Sequence, residues 1–139
     1  MNLLLQPKKT KYKKLKKGRL KNFDFKSNAL KFGTIGLKTT ESGVISARQL
    51  EAARQAINRK IKKKGKIWIR IFPNLPITSK PIEVRMGKGK GNIKHWVAKV
   101  KRGTILFEIC GISNNLAIIA FKTGRSKLSV KTKIAKFYF

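Results

Sequence analysis

Catalysis needs reactive groups at matched spacing, and this chain offers few. Its acids, Asp24, Glu41, Glu51, Glu83 and Glu108, are scattered, and no two are spaced as a carboxylate dyad. The single histidine, His95, and the single cysteine, Cys110, fall on what reads as the two arms of one hairpin. A cysteine beside a histidine would be a nucleophile with its base. The plainer reading is that Cys110 packs as a small apolar residue and His95 meets RNA or solvent. One histidine and one cysteine cannot build a structural zinc site. No cofactor, metal or small-molecule substrate is expected. The residues that do group are Arg85-Met86-Gly87-Lys88-Gly89-Lys90-Gly91-Asn92. Glycine at alternate positions permits positive φ and puts no Cβ in the way of an approaching backbone. Successive amides in such a turn can gather round an anion, and Lys88 and Lys90 add charge there. The run is G-x-G-x-G, neither a dinucleotide fingerprint nor a P-loop, and no helix pattern comes after it. Taken alone, it fits a polyanion site and a solvated basic loop equally well.

The charge of the whole chain separates the two. Its 139 residues hold 35 Lys+Arg against 5 Asp+Glu, a net charge of +30. Self-repulsion at that imbalance opposes compaction unless counter-charge comes from outside. Hydrophobic residues make up 41%, enough for a core and too many for a disordered basic tail. The length fits one domain. A lone cysteine excludes an intrachain disulfide. No run approaches the roughly 20 apolar residues of a membrane span, so no membrane partner is expected. The apolar start, Met1 to Leu5, is too short for a signal peptide. The lysine-rich segment behind it lacks a transit-peptide pattern, which predicts synthesis in the compartment of use.

These groups must be positioned by the rest of the chain. Residues 1–28 read as an extended arm carrying Lys8, Lys9, Lys11, Lys13, Lys14, Lys16, Lys17, Arg19 and Lys21, with Tyr12 as an aromatic for base stacking. Such a block repels itself until it lies along phosphates. Residues 29–139 read as one α+β domain. Residues 29–45 suggest short strands bent at Gly33, Gly36 and Gly43. Ser46 with Gln49 forms a capping box. Ala47, Leu50, Ala53, Ile57 and Ile61 then share a helical face, with Arg48, Arg59, Lys62 and Lys63 largely opposite and Arg54 at the edge. Lys62–Lys64 form the last turn, and Gly65 is the C′ residue. Lys66–Phe72 alternates as a strand, Ile67, Ile69 and Ile71 on one face and Trp68, Arg70 and Phe72 on the other. Trp68 and Trp96 are expected in the core. Pro73, Pro76 and Pro81 interrupt the next stretch. Ile82–Met86 reads as a strand feeding the glycine loop, and Lys94–Val100 pairs with Thr104–Cys110 as a hairpin. Ser113 caps a second, well-buried helix to about Thr123, and Val130–Ala135 ends the fold as a strand. The architecture expected is a mostly antiparallel sheet with two helices packed on one side.

Several of these runs resemble one family. Leu5-Gln6-Pro7-Lys8-Lys9-Thr10-Lys11-Tyr12-Lys13-Lys14 with Lys17-Gly18-Arg19 is similar to the N-terminus of the bacterial-type large-subunit ribosomal protein L-sixteen family. Ser46–Arg54, Gly65–Pro73, Pro76-Ile77-Thr78 with Lys80-Pro81, and Arg85–Asn92 with Trp96-Val97-Ala98 are similar to the same family. The resemblance covers about residues 5–133. Residues between Leu20 and Leu30, Asn114-Asn115 and the final Phe137-Tyr138-Phe139 depart from it. It implies a non-enzymatic structural constituent of the large ribosomal subunit, bound to rRNA and beside neighbouring ribosomal proteins. It also implies help in positioning A-site and P-site tRNA near the peptidyl-transferase centre. Carried over by position, the rRNA contacts are Lys8, Lys9, Lys11, Tyr12, Lys13, Lys14, Lys17, Arg19, Arg48, Arg54, Arg59, Lys62, Lys63 and Arg70. The tRNA-side loop is Arg85, Met86, Gly87, Lys88, Gly89, Lys90 and Gly91. Lysine outnumbers arginine 27 to 8, a bias that suits an AT-rich genome. The expected home is the mitochondrial large ribosomal subunit, with a plastid or a bacterial cytoplasm as alternatives.

Overall fold

The helix most clearly marked in the sequence carries a complete cap. Ser46 Oγ accepts the Gln49 amide at 3.2 Å, and Gln49 Oε1 accepts the Ser46 amide at 2.9 Å. Two orphan donors of the first turn are thus satisfied reciprocally. In the computed structural model, which describes residues 5–136, this helix is α1 (Ala47–Lys60). It comes after β1 (Ile35–Thr39) and β2 (Gly43–Ser46) and precedes β3 (Lys66–Ile69), β4 (Leu75–Ser79), β5 (Asn92–Val100), β6 (Ile105–Cys110), α2 (Asn114–Arg125) and β7 (Thr132–Lys136). The fold is α+β, as expected, but its strands form two antiparallel sheets. One has the order β3-β6-β1-β7 and the other β2-β5-β4. Leu50, Ala53, Ile57 and Ile61 of the first helical segment meet Ile35, Leu37, Phe107 and Ile109 of the four-stranded sheet in one core. Ala117, Ala120 and Phe121 of α2 complete it. Gly124 lets the two helices close on each other, since a Cβ there would lie 2.5 Å from Ile57 Cγ1.

Several expectations are corrected. Lys94–Val100 and Thr104–Cys110 do not pair: β5 lies between β2 and β4, and β6 between β1 and β3. The link Lys101–Thr104 carries the chain from one sheet to the other. Thr39 holds that link through its amide to Thr104 O and through the Gly103 amide to its own carbonyl, both at 2.9 Å. His95 and Cys110 therefore stand in different sheets. Ile82–Met86 is a turn, with the Val84 amide on Pro81 O at 3.3 Å, and Ile82 is fully exposed. Alternation of apolar residues there has no partner strand to serve. α1 stops at Lys60, and Lys62 and Lys63 turn into the left-handed region at φ 52° and 61° instead of extending the helix. α2 is half-buried, with Ile119 47% exposed, and Ser113 makes no side-chain cap bond. Trp68 and Trp96 are half-buried rather than core; Trp68 alternates with Ile67 and Ile69, which pack against the core from the other face of β3. Residues 29–34 form no strand. They instead cross the outer face of the four-stranded sheet, with Leu30 laid against Gly36 and Gly33 against the β6 backbone.

One strand goes beyond the sequence reading. β4 pairs with β5 although it contains Pro76, opposite Trp96. It is an edge strand, where a missing N–H is tolerated. β4 and β5 make a hairpin, and residues 80–91, the glycine run included, are its long tip.

Candidate nucleic-acid interface

Acidity is scarce, and most of it is spent on holding the chain to itself. Glu108 on β6 is fully buried. Its Oε2 accepts the Phe32 amide at 2.6 Å and the Gly33 amide at 2.8 Å, the Lys31 amide lies at 3.2 Å, and Arg70 donates to Oε1. Burial pushes this carboxyl up, but the Phe32 and Gly33 amides, Arg70 and the Lys31 amide outweigh it and hold it below the usual glutamate range. Asp24 accepts the Lys26 and Ser27 amides at 3.0 Å and the Thr104 hydroxyl at 2.8 Å. Glu41 accepts the Lys131 amide at 2.8 Å. Glu51 pairs with Arg54 at 2.7 Å on one turn of α1. Among the described residues those with Arg54 and Arg70 are the only ion pairs, so nearly all the cations have no acidic neighbour.

This places the expected site residues in four groups, the glycine loop being the last. The arm residues Lys8, Lys9, Lys11, Tyr12, Lys13, Lys14, Lys17 and Arg19 are all exposed, with Lys11 Nζ 5.5 Å from the Tyr12 ring centre. Arg48, Arg59, Lys62 and Lys63 are exposed, on or just past α1. Arg54 and Arg70 are held by the carboxylates of Glu51 and Glu108, which fix where their guanidinium groups stand. Arg70, only 11% exposed in its side chain, braces the segment that Glu108 anchors.

The loop stands clear of the protein. Residues 81–90 are all exposed, Met86 almost completely. Gly87, Lys88 and Gly89 have φ of 95°, 53° and 81°, three successive left-handed residues. Nothing lies within 4 Å of a Cβ at Gly87 or Gly89, so conformation alone calls for glycine there. Gly91 differs: a Cβ would meet Ser79 O at 2.5 Å, so it permits the close approach at the base of the hairpin. Among the described residues no acceptor serves the amides of Gly87, Lys88 or Gly89. Lys80, which no charge or periodicity pattern singles out, donates through Nζ to Gly87 O and braces the tip.

The arm comes to this loop. Lys14 Nζ donates to Lys90 O at 2.5 Å, and Lys90 Nζ donates to Leu15 O at 2.6 Å. Residues 17–20 then line a cleft with Ser42–Val44, Leu75, Ile77 and Lys99. Arm and loop therefore form one continuous cationic surface. Lys99 is equally unmarked in the sequence, because its alternation in β5 says nothing of the arm that crosses it. A surface with free amides, exposed ammonium groups and no gathered acids attracts a polyanion. Among the described residues no three His, Cys, Asp or Glu side chains cluster to hold a metal, and no helix is long and apolar enough to cross a membrane.

Fold and surface together are those of a basic α+β protein suited to binding a nucleic acid. The profile of the ribosomal protein L16p/L10e family matches residues 7–135. The chain is 53% identical over 129 residues to the large ribosomal subunit protein uL16 of Dichelobacter nodosus (strain VCS1703A), covering 93% of this chain and 94% of the relative. It is 54% identical over 129 residues to that of Xanthomonas campestris pv. campestris (strain B100), with the same coverage. With that of Sinorhizobium medicae (strain WSM419) it shares 51% over 133 residues, 96% of this chain and 97% of the relative. The chain belongs to the ribosomal protein L16p/L10e family, whose members are structural components and not enzymes.

Proposed function

We propose that this protein is a structural constituent of the large ribosomal subunit, embedded in rRNA and beside other ribosomal proteins, with its glycine loop presented to A-site and P-site tRNA. The observation that carries the loop assignment is the run Gly87-Lys88-Gly89. Its amides are unpaired, its backbone is bare, and it projects from a braced hairpin tip. Residues 1–28 act as the rRNA-binding arm and residues 29–139 as the domain that carries the loop. Arg48, Arg59, Lys62 and Lys63 add phosphate contacts from the helix side. The lysine-rich composition supports a mitochondrial ribosome as its home, with a bacterial cytoplasm, where the relatives' organisms place theirs, as the alternative.

The loop assignment is tested with Arg85→Ala, Lys88→Ala and Lys90→Ala combined. Each exposed charge contact contributes about 0.5 kcal/mol, so the triple variant should slow tRNA accommodation about tenfold. Incorporation into the subunit should stay within about twofold of the parent. Sedimentation measures incorporation, and single-turnover accommodation measures the rate. A variant that accommodates tRNA at the parental rate removes the tRNA side of the assignment.

A further inference from the structure

Away from the loop and the arm, the outer face of the four-stranded sheet carries an aromatic pair that the fold does not use as core. Phe32 and Trp68 stack with ring centres 6.0 Å apart and planes 22° from parallel. Phe32 remains 57% exposed. The Arg70 guanidinium lies 5.2 Å from the Phe32 ring centre, and Lys66 Nζ lies 5.2 Å from that of Trp68. The pair is held rigidly. The Phe32 amide is bonded to buried Glu108, and Gly33 fits against β6 where a Cβ would meet Ile109 O at 2.7 Å. Lys31 and Lys66 are exposed at its edges.

We propose that Phe32 and Trp68, flanked by Arg70 and Lys66, form a stacking platform for an unpaired nucleobase of RNA. This rests on the RNA-binding reading above and goes beyond it, since that reading relies on phosphate contacts. An exposed ring costs solvation unless something covers it, and a nucleobase covers it with a π face of matching size. The flanking cations suit the phosphate attached to that base. Among the described residues the only acid within bonding distance of the patch is Glu108, which is buried and already paired, so the charge at the rim is positive. Pre-positioning by Glu108 removes the ordering cost that an arm aromatic such as Tyr12 would have to meet.

The test uses the full chain with Trp96→Phe, which leaves Trp68 as the only tryptophan. Dye-labelled octaadenylate and an abasic octamer of equal charge are compared, with anisotropy reporting binding and tryptophan emission reporting stacking. Both oligomers should bind, and only octaadenylate should quench Trp68. Phe32→Leu, which keeps an apolar side chain but removes the π face, should weaken octaadenylate binding on the order of tenfold and leave the abasic oligomer unaffected. Phe32→Tyr should restore the parental affinity. If both oligomers bind and neither quenches Trp68, the platform is refuted while the RNA-binding reading stands. If neither binds, both fall. In assembled subunits, ultraviolet cross-linking should join this patch to a base; cross-links to a protein alone would assign it to a neighbouring protein and overturn the proposal.

Discussion

Glu108→Ala should unfold most of the free protein. The side chain is fully buried and accepts from the Phe32, Gly33 and Lys31 amides and from Arg70. Removing it leaves a guanidinium and the amides without partners on a covered sheet face. Breaking a buried ion pair from one side costs about 3–5 kcal/mol. A small domain has only about 5–15 kcal/mol in total, and a +30 chain starts lower through self-repulsion. Urea unfolding at moderate salt measures the loss. Arg70→Met separates the contributions, because it removes the guanidinium and keeps the amide bonds, and it should cost clearly less. A Glu108→Ala protein within about 0.5 kcal/mol of the parent would show that residues 31–33 are not held by this carboxylate.

The same group sets an acid limb. Burial raises the Glu108 pKa and its donors more than reverse that, so the folded value lies below the ordinary 4.5. A group depressed on folding contributes stability in full above its unfolded pKa. That contribution drains as pH falls from about 4.5 through the lower folded value. Asp24 and Glu51 act in the same sense: burial raises Asp24, but the Ser27 amide, the Thr104 hydroxyl and the Lys26 amide outweigh it, and Glu51 is lowered chiefly by Arg54. Glu108→Gln should therefore lower stability at neutral pH and flatten the acid limb without abolishing it. An unchanged acid limb would place the titrating carboxylates elsewhere.

Local rules account for the parts of the fold that are legible in the sequence. The capping box at Ser46 and Gln49 and the apolar stripe to Ile57 depend on neighbours in the chain, and both are in place. Tertiary partners are not legible in this way. β6 is buried along almost its whole length because helices cover one face and residues 28–34 the other, and no pattern within Ile105–Cys110 announces that second cover. The nearest strand in sequence is the natural partner to expect for it, yet the chain changes sheets at Gly103. β4 is hidden by its prolines, which argue against a central strand and say nothing against an edge. The period-two pattern of Lys66–Phe72 puts Trp68 and Arg70 on one face correctly. It cannot say that Glu108 waits opposite Trp68, which turns Arg70 from an outward cation into a brace. The glycine loop is legible as chemistry, because glycine spacing and lysine type are intrinsic. Its mounting on a β4–β5 hairpin, with Lys80 beneath and the arm alongside, requires the fold.

The arm makes the second large prediction, and its design rests on Leu5. That side chain is only 7% exposed and belongs to the hydrophobic core, so deleting residues 1–21 would remove packing along with charge. Replacing Lys8, Lys9, Lys11, Lys13, Lys14, Lys16 and Lys17 by glutamine removes the charge and keeps Leu5. Every one of these lysines is exposed and none has an acidic partner among the described residues. Folding stability should hold or rise slightly, because self-repulsion falls. RNA binding should collapse. Removing one phosphate-bound cation lowers the slope of log K against log salt by about 0.7–0.9, so removing seven should reduce it by roughly 5. Changes of that size correspond to about 10³–10⁵ in affinity over a modest salt range, enough to prevent incorporation into the subunit. The slope is the informative quantity, because it counts the phosphates that the protein neutralises. Lys14→Gln alone adds a finer check. Its ammonium is bonded to Lys90 O, so its loss should loosen the loop as well as remove one phosphate partner. Protection of the Lys88 and Gly89 amides from solvent exchange in the assembled subunit should then fall while incorporation persists. A seven-lysine variant that keeps the parental salt slope would mean that the arm does not touch phosphates, and the cationic surface would have to be sought on α1 and the loop alone.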